Sequence, residues 1–141
     1  MRWGWFLFLG MLLQVGLSAR LELPQAVRLA QTYLGQPLEP YKVELKRKGP
    51  VWVWELRLGE WEVWVDAQSG QVAHLRPKKA PPHTRHPHLP FTQAWQSAER
   101  VLGSVEKLEL KPYQRLALWE AKGPRGKIYI LPDGRTSERR P

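Results

Sequence analysis

Outside its first nineteen residues, the sequence holds two aspartates, four histidines and six tryptophans, the side chains with the widest chemical reach in it. Asp66 lies in Asp66-Ala67-Gln68-Ser69-Gly70 and Asp133 in Pro132-Asp133-Gly134. In such contexts an Asp carboxylate bonds nearby backbone N–H groups and shapes a turn, which accounts for both without catalysis. No serine sits in a nucleophile elbow, and there is no phosphate loop and no zincin helix. His74, His83, His86 and His88 have the residue type for zinc, copper or nickel. Three of them lie among prolines and cations, however, without acids to orient the rings. A solvated basic segment explains them. With no cysteine, thiolate chemistry, disulfides and Cys-ligated metal are excluded. The expectation is a protein that is not an enzyme, with no catalytic residue, metal or cofactor.

The tryptophans suggest binding instead. Alternation puts Trp52, Trp54, Leu56 and Leu58 on one side of a strand. In the next strand Trp64 points away from Trp61, Val63 and Val65. Trp119 and Tyr129 hold the corresponding places in the second half of the chain. A helix covers only one face of a small sheet, so an aromatic surplus marks either internal packing or a partner surface. Trp52, Trp54, Trp64, Trp119 and Tyr129 are therefore the candidate partner-binding residues. Core packing is the alternative for each of them.

The chain has 141 residues and a formal charge of +9. Such a surface favours an acidic protein face, anionic lipid or an anionic envelope polymer. Aromatic residues beside Lys and Arg also permit nucleic-acid stacking, but the N-terminus disfavours that partner. Residues 1–19 run from Arg2 through Trp3-Gly4-Trp5-Phe6-Leu7-Phe8-Leu9 to Leu17-Ser18-Ala19. A positive start, a short apolar stretch and small residues at the end form a secretory signal peptide cut after Ala19. Cleavage removes one positive charge with Arg2. The expected location is secreted or periplasmic, the alternative being a membrane anchor formed by an uncleaved segment.

An internal repeat organises the remainder. Gln25-Ala26, Ala30 and Leu34-Gly35 recur 68 residues later as Gln93-Ala94, Ala98 and Leu102-Gly103. Lys42-Val43-Glu44-Leu45-Lys46 recurs 65 residues later as Lys107-Leu108-Glu109-Leu110-Lys111, and Trp54-Glu55 as Trp119-Glu120. Each copy reads as an amphipathic helix followed by strands of period two. Pro24 opens the first helix and Gly35 ends it; Thr92 caps the second and Gly103 ends it. The predicted fold is α+β: two repeated modules, each one helix on a 3–4 stranded antiparallel sheet, preceded by an N-terminal signal helix. The expected division is a signal peptide at 1–19, a first module at 20–76, a Pro/His/Lys-rich linker at 77–90 and a second module at 91–141.

The helix Ala26…Ala30…Leu34-Gly35, the strand Val51-Trp52-Val53-Trp54-Glu55-Leu56 and the run Glu62-Val63-Trp64-Val65-Asp66-Ala67-Gln68-Ser69-Gly70-Gln71-Val72 together resemble the PepSY domain. The resemblance is good over residues 21–76 and looser over 91–139, where Leu131-Pro132-Asp133-Gly134 replaces the usual strand end. It implies an extracytoplasmic module, known from propeptides of thermolysin-type metalloproteases and from small exported proteins, and it brings no catalytic residues. The functional expectation is an exported binding protein that inhibits or chaperones an extracytoplasmic protease, acting in trans because no peptidase domain follows. The alternative is a structural or regulatory envelope protein that binds another membrane protein or an anionic polymer. In either case a sheet edge or the Trp face would engage the partner by strand pairing and aromatic anchoring. Partner identity and oligomeric state are left open.

Overall fold

The structure, a computed structural model, describes residues 20–141. The signal peptide expected at 1–19 lies outside the described residues.

Helix α1 (Leu23–Leu34) starts where Gln25 turns back to accept the Glu22 N–H at 2.9 Å. It ends at Gly35, whose φ of 67° closes the last turn in the left-handed region. Leu23, Ala26, Val27 and Ala30 form its buried stripe. Four strands follow: β1 (Pro40–Lys48), β2 (Val51–Leu58), β3 (Trp61–Asp66) and β4 (Val72–Pro77). Helix α2 (Phe91–Leu102) buries Phe91, Ala94, Ala98 and Leu102. It leads into β5 (Lys107–Tyr113), β6 (Leu116–Gly123), β7 (Gly126–Ile130) and the two-residue β8 (Thr136–Ser137). Thr92 does not cap α2. The helix begins at Phe91, two residues earlier than that cap would place it, with Pro90 in the cap position.

The expected fold class is overturned. These strands do not form two helix-on-sheet modules; they form one antiparallel sheet of eight strands in the order β4-β3-β2-β1-β5-β6-β7-β8. The join is β1 against β5, where Lys42 faces Glu109, Val43 faces Leu108 and Glu44 faces Lys107. The Leu45 N–H extends it by donating to the Glu106 carbonyl at 2.7 Å. The physical reason is twofold. In separate modules β1 and β5 would each be a bare edge with unpaired backbone groups. A body of about 50 residues also buries too little surface to be more than marginally stable. Pairing the two edges removes both problems.

The register carries single rows of side chains across the whole sheet. On the helix side Leu75, Val63, Leu56, Val43, Leu108, Ala121 and Ile128 stand side by side from β4 to β7. All but Leu75 are essentially inaccessible, and they belong to one core cluster with the buried faces of both helices. The 77–90 stretch packs on this body too. Ala80 and Leu89 are buried, the Lys78 N–H donates to the Glu60 carbonyl at 2.8 Å, and His83 Nε2 lies 2.9 Å from the Leu110 carbonyl.

One device recurs at the helix starts. Trp54 Nε1 donates to the Leu21 carbonyl at 2.8 Å, and Trp119 Nε1 donates to the Leu89 carbonyl at 2.8 Å. Each bond ties the residue two places before a helix to the middle of the sheet beneath it. Replacing either Trp by Phe keeps an aromatic ring, though a smaller one, and strands the carbonyl. Trp119→Phe should cost about 1–3 kcal/mol in urea denaturation, with Trp54→Phe toward the lower end because its bond is only partly buried. Trp64→Phe, whose Nε1 has no partner among the described residues, should cost less than either.

Candidate binding surface

Both helices lie on one face of the sheet, so among the described residues no helix covers the opposite face. Strand alternation sends polar side chains there, and the register again aligns them. Arg76, Glu62, Arg57, Lys42, Glu109, Glu120, Tyr129 and Ser137 form a row across all eight strands. A neighbouring row runs His74, Trp64, Glu55, Glu44, Lys107, Lys122 and Lys127.

Most of the acids on this face are held by cations from adjacent strands or from their own strand. Glu62, 2% exposed, lies 3.0 Å from Arg76 Nε and 3.5 Å from Arg57 Nε, with His74 Nε2 at 3.6 Å. Glu55 lies 3.0 Å from Lys48 and 3.5 Å from Lys46. Glu109 meets Lys107 at 3.3 Å and Lys111 at 3.5 Å, while Lys107 also reaches Glu120 at 3.8 Å. Burial alone would push the Glu62 carboxyl up. The hydrogen bond and charge of Arg76, with the charges of Arg57 and Lys78, outweigh it and hold the group below the ordinary carboxylate value. Glu109 behaves alike: desolvation raises it, and Lys42, Lys107 and Lys111 together bring it lower. Acids held ionised in this way are poor proton donors near neutral pH.

Asp66 and Asp133 take the turn roles their contexts predict. Asp66 Oδ1 accepts from the Gln68 and Ser69 N–H groups at 2.8 Å each, and Asp133 Oδ1 accepts from the Arg135 N–H at 3.0 Å. The histidines are dispersed. His74 stacks on Trp64 with ring centroids 4.3 Å apart, His83 sits against β5, and His86 and His88 are exposed. Among the described residues no group of three His, Asp or Glu comes together in a way that would hold a metal ion.

The five candidate partner residues do not converge. Trp54 and Trp119, 4% and 2% exposed, lie on the helix side and spend their indole N–H groups on the helix starts. Trp52 shares that side, half-buried beneath the Arg20 guanidinium, which lies 4.5 Å from its ring centre. Trp64 and Tyr129 stand on the open face, on β3 and β7, five strand spacings or roughly 24 Å apart. Lys48 Nζ lies 4.3 Å over the Trp64 ring, and Tyr129 is buried under its neighbours, 8% exposed. Period-two reading found the faces of these residues. It missed what surrounds them, because that depends on neighbours far away in sequence.

Two features had no clear sequence signal. A cavity of about 240 Å³ lies between the start of α1 and the end of α2, walled by Trp54, Trp95, Leu45, Val105, Glu99 and Glu106. It is smaller than the ~300–1,000 Å³ typical of small-molecule sites. The second feature is β4, a six-residue strand paired only to β3 among the described residues.

No family model matches the chain, and no curated protein matches it. A solved structure from Clostridium difficile 630, described as a “putative lipoprotein”, covers 85% of this chain and 92% of that one, with a TM-score of 0.49 and 11% identity. That likeness is too slight to bear on function. No helix among the described residues is long and apolar enough to cross a membrane.

A carboxyl whose folded value lies below its unfolded one stabilises the fold above the unfolded value and stops doing so as pH falls through the folded one. Glu62, Asp66 and Glu109 all have that sign. Stability should therefore decline as pH drops below about 4. Glu62→Gln should cost about 1–3 kcal/mol at pH 7, below the figure for a fully buried pair because Arg76 is half exposed. Urea titrations across pH should show this gap between parent and variant closing in acid.

Proposed function

We propose that this chain is an exported, non-catalytic binding protein that engages another polypeptide in the cell envelope and restrains an extracytoplasmic protease. One observation carries the reading: among the described residues both helices lie on one face of an eight-stranded sheet, and most acids on the other face are tied into ion pairs. Such a face is wide and ordered, suited to holding a surface and ill suited to moving protons. The apolar leader at 1–19 supports export. The resemblance of residues 21–76 to the PepSY domain supports a protease as partner. The excess of Lys and Arg over Asp and Glu, 22 against 13, favours a partner with an acidic surface.

The test is to incubate residues 20–141 at micromolar excess with the secreted and envelope proteases of the host. Slowed cleavage of a reporter substrate, relieved by raising salt from 0.05 to about 0.5 M as charge attraction is screened, is the expected outcome. Proteolysis at an unchanged rate across the panel would remove the protease reading.

A further inference from the structure

The two edges of the sheet are treated differently. β8 has two residues and offers almost no template. β4 has six, Val72–Pro77, and its outer side meets no other strand among the described residues. Proteins commonly guard such an edge with charges and proline, and Arg76, Pro77, Lys78 and Lys79 are present here. The guard has only one sign, however. Between Asp66 and Glu99 there is no acid at all, while Arg76, Lys78, Lys79 and Arg85 all fall in that interval. The acids nearest in the fold are occupied. Glu62 is bonded to Arg76, Asp66 to its own turn, and Glu60 Oε2 accepts the Ala80 N–H at 3.2 Å. A second copy presenting the same edge would bring cations toward cations, so self-pairing is disfavoured.

The helix side of this edge is apolar. α1 lies over β2, β3 and β4. Its Leu29 is 37% exposed and rests at Gly70, in the turn that leads into β4. Leu75, 38% exposed, closes the apolar row of the sheet at its open end. An added strand would therefore meet leucine on one side and cations on the other. Those are the two faces that alternate side chains of an extended peptide present.

We propose that β4 is a docking edge for an extended acidic segment of a partner polypeptide, bound as a ninth strand. Its backbone pairs with residues 72–76, its apolar side chains lie against Leu29 and Leu75, and its carboxylates face Arg76, Lys78 and Lys79. This rests on the reading of the chain as a polypeptide-binding protein and names the chemistry of the segment it takes.

The test uses 15N-labelled residues 20–141 and a ten-residue peptide alternating Glu with Val or Thr. Saturable amide shifts centred on residues 72–76 are expected. N-methylating the peptide on alternate residues, on the side facing the edge, should weaken binding about tenfold or more by removing backbone hydrogen bonds. The Lys-for-Glu peptide should not bind. Lys78→Glu with Lys79→Glu, two residues outside the ion pairs, should weaken the acidic peptide and admit the basic one. N-methylated and parent peptides binding equally would mean charge attraction without strand pairing, and would overturn the proposal. So would the absence of shifts. Shifts centred on Trp64 and Tyr129 would overturn the β4 assignment yet leave the wider binding reading standing. Conversely, docking at β4 beside unaffected proteolysis would uphold this edge and remove the protease role.

Discussion

The pairing of β1 with β5 is the constraint on which the rest of this structure depends. Only three residue pairs face each other across it, yet they carry both long rows of the sheet from one half to the other. Val43 against Leu108 continues the apolar row, so the cores beneath α1 and α2 become one. Lys42 against Glu109 continues the charged row on the opposite face. Desolvation lowers the Lys42 ammonium from its ordinary value, and the Glu109 charge acts against that drop. The seam thus places a charge pair in partial burial next to a fully buried aliphatic pair.

From that join follows the division of the sheet into a face packed under both helices and a face without a helix among the described residues. Each helix has one apolar stripe and must lie on a sheet, and both go to the same side. The other side carries mostly polar and charged side chains, with Val53 and Leu118 buried among them. Cross-strand pairing then keeps Glu62 charged at a position with almost no solvent exposure. Isolated surface ion pairs contribute little, but a network in fixed register on a rigid sheet loses less side-chain entropy in forming. The same geometry explains the uneven edges: β5 consumes the inner edge of the first half, and β4 is left at the rim.

Much of the local structure was legible in the sequence. Gly35 ends α1 and Pro24 sits one residue inside its start, Gly103 ends α2, and alternation around Val43, Leu56 and Val63 gives the buried side of those strands. The recurrence of Trp54 as Trp119 marks equivalent places in the sheet, and there the two indoles make equivalent bonds. The neighbour of each strand was not legible. Period two states which face a residue takes and says nothing about which edge lies beside it, so one sheet read as two. The prolines between Pro77 and Pro90 read as a free connection because proline forbids helix. They do not forbid packing, and Ala80 and Leu89 are buried. For the candidate site, Trp64 and Tyr129 were placed on the open face by alternation. Trp54 and Trp119 resemble them in size and are internal, since aromatic bulk serves a core and a surface equally well.

The continuity of the sheet through Val43 and Leu108 is tested most directly by calorimetry of residues 20–141 with and without Leu108→Ala. The account predicts one transition in which calorimetric and van't Hoff enthalpies agree, and a variant whose whole transition moves down by about 2–5 kcal/mol in stability. Two resolved transitions, with Leu108→Ala shifting only one of them, would contradict it.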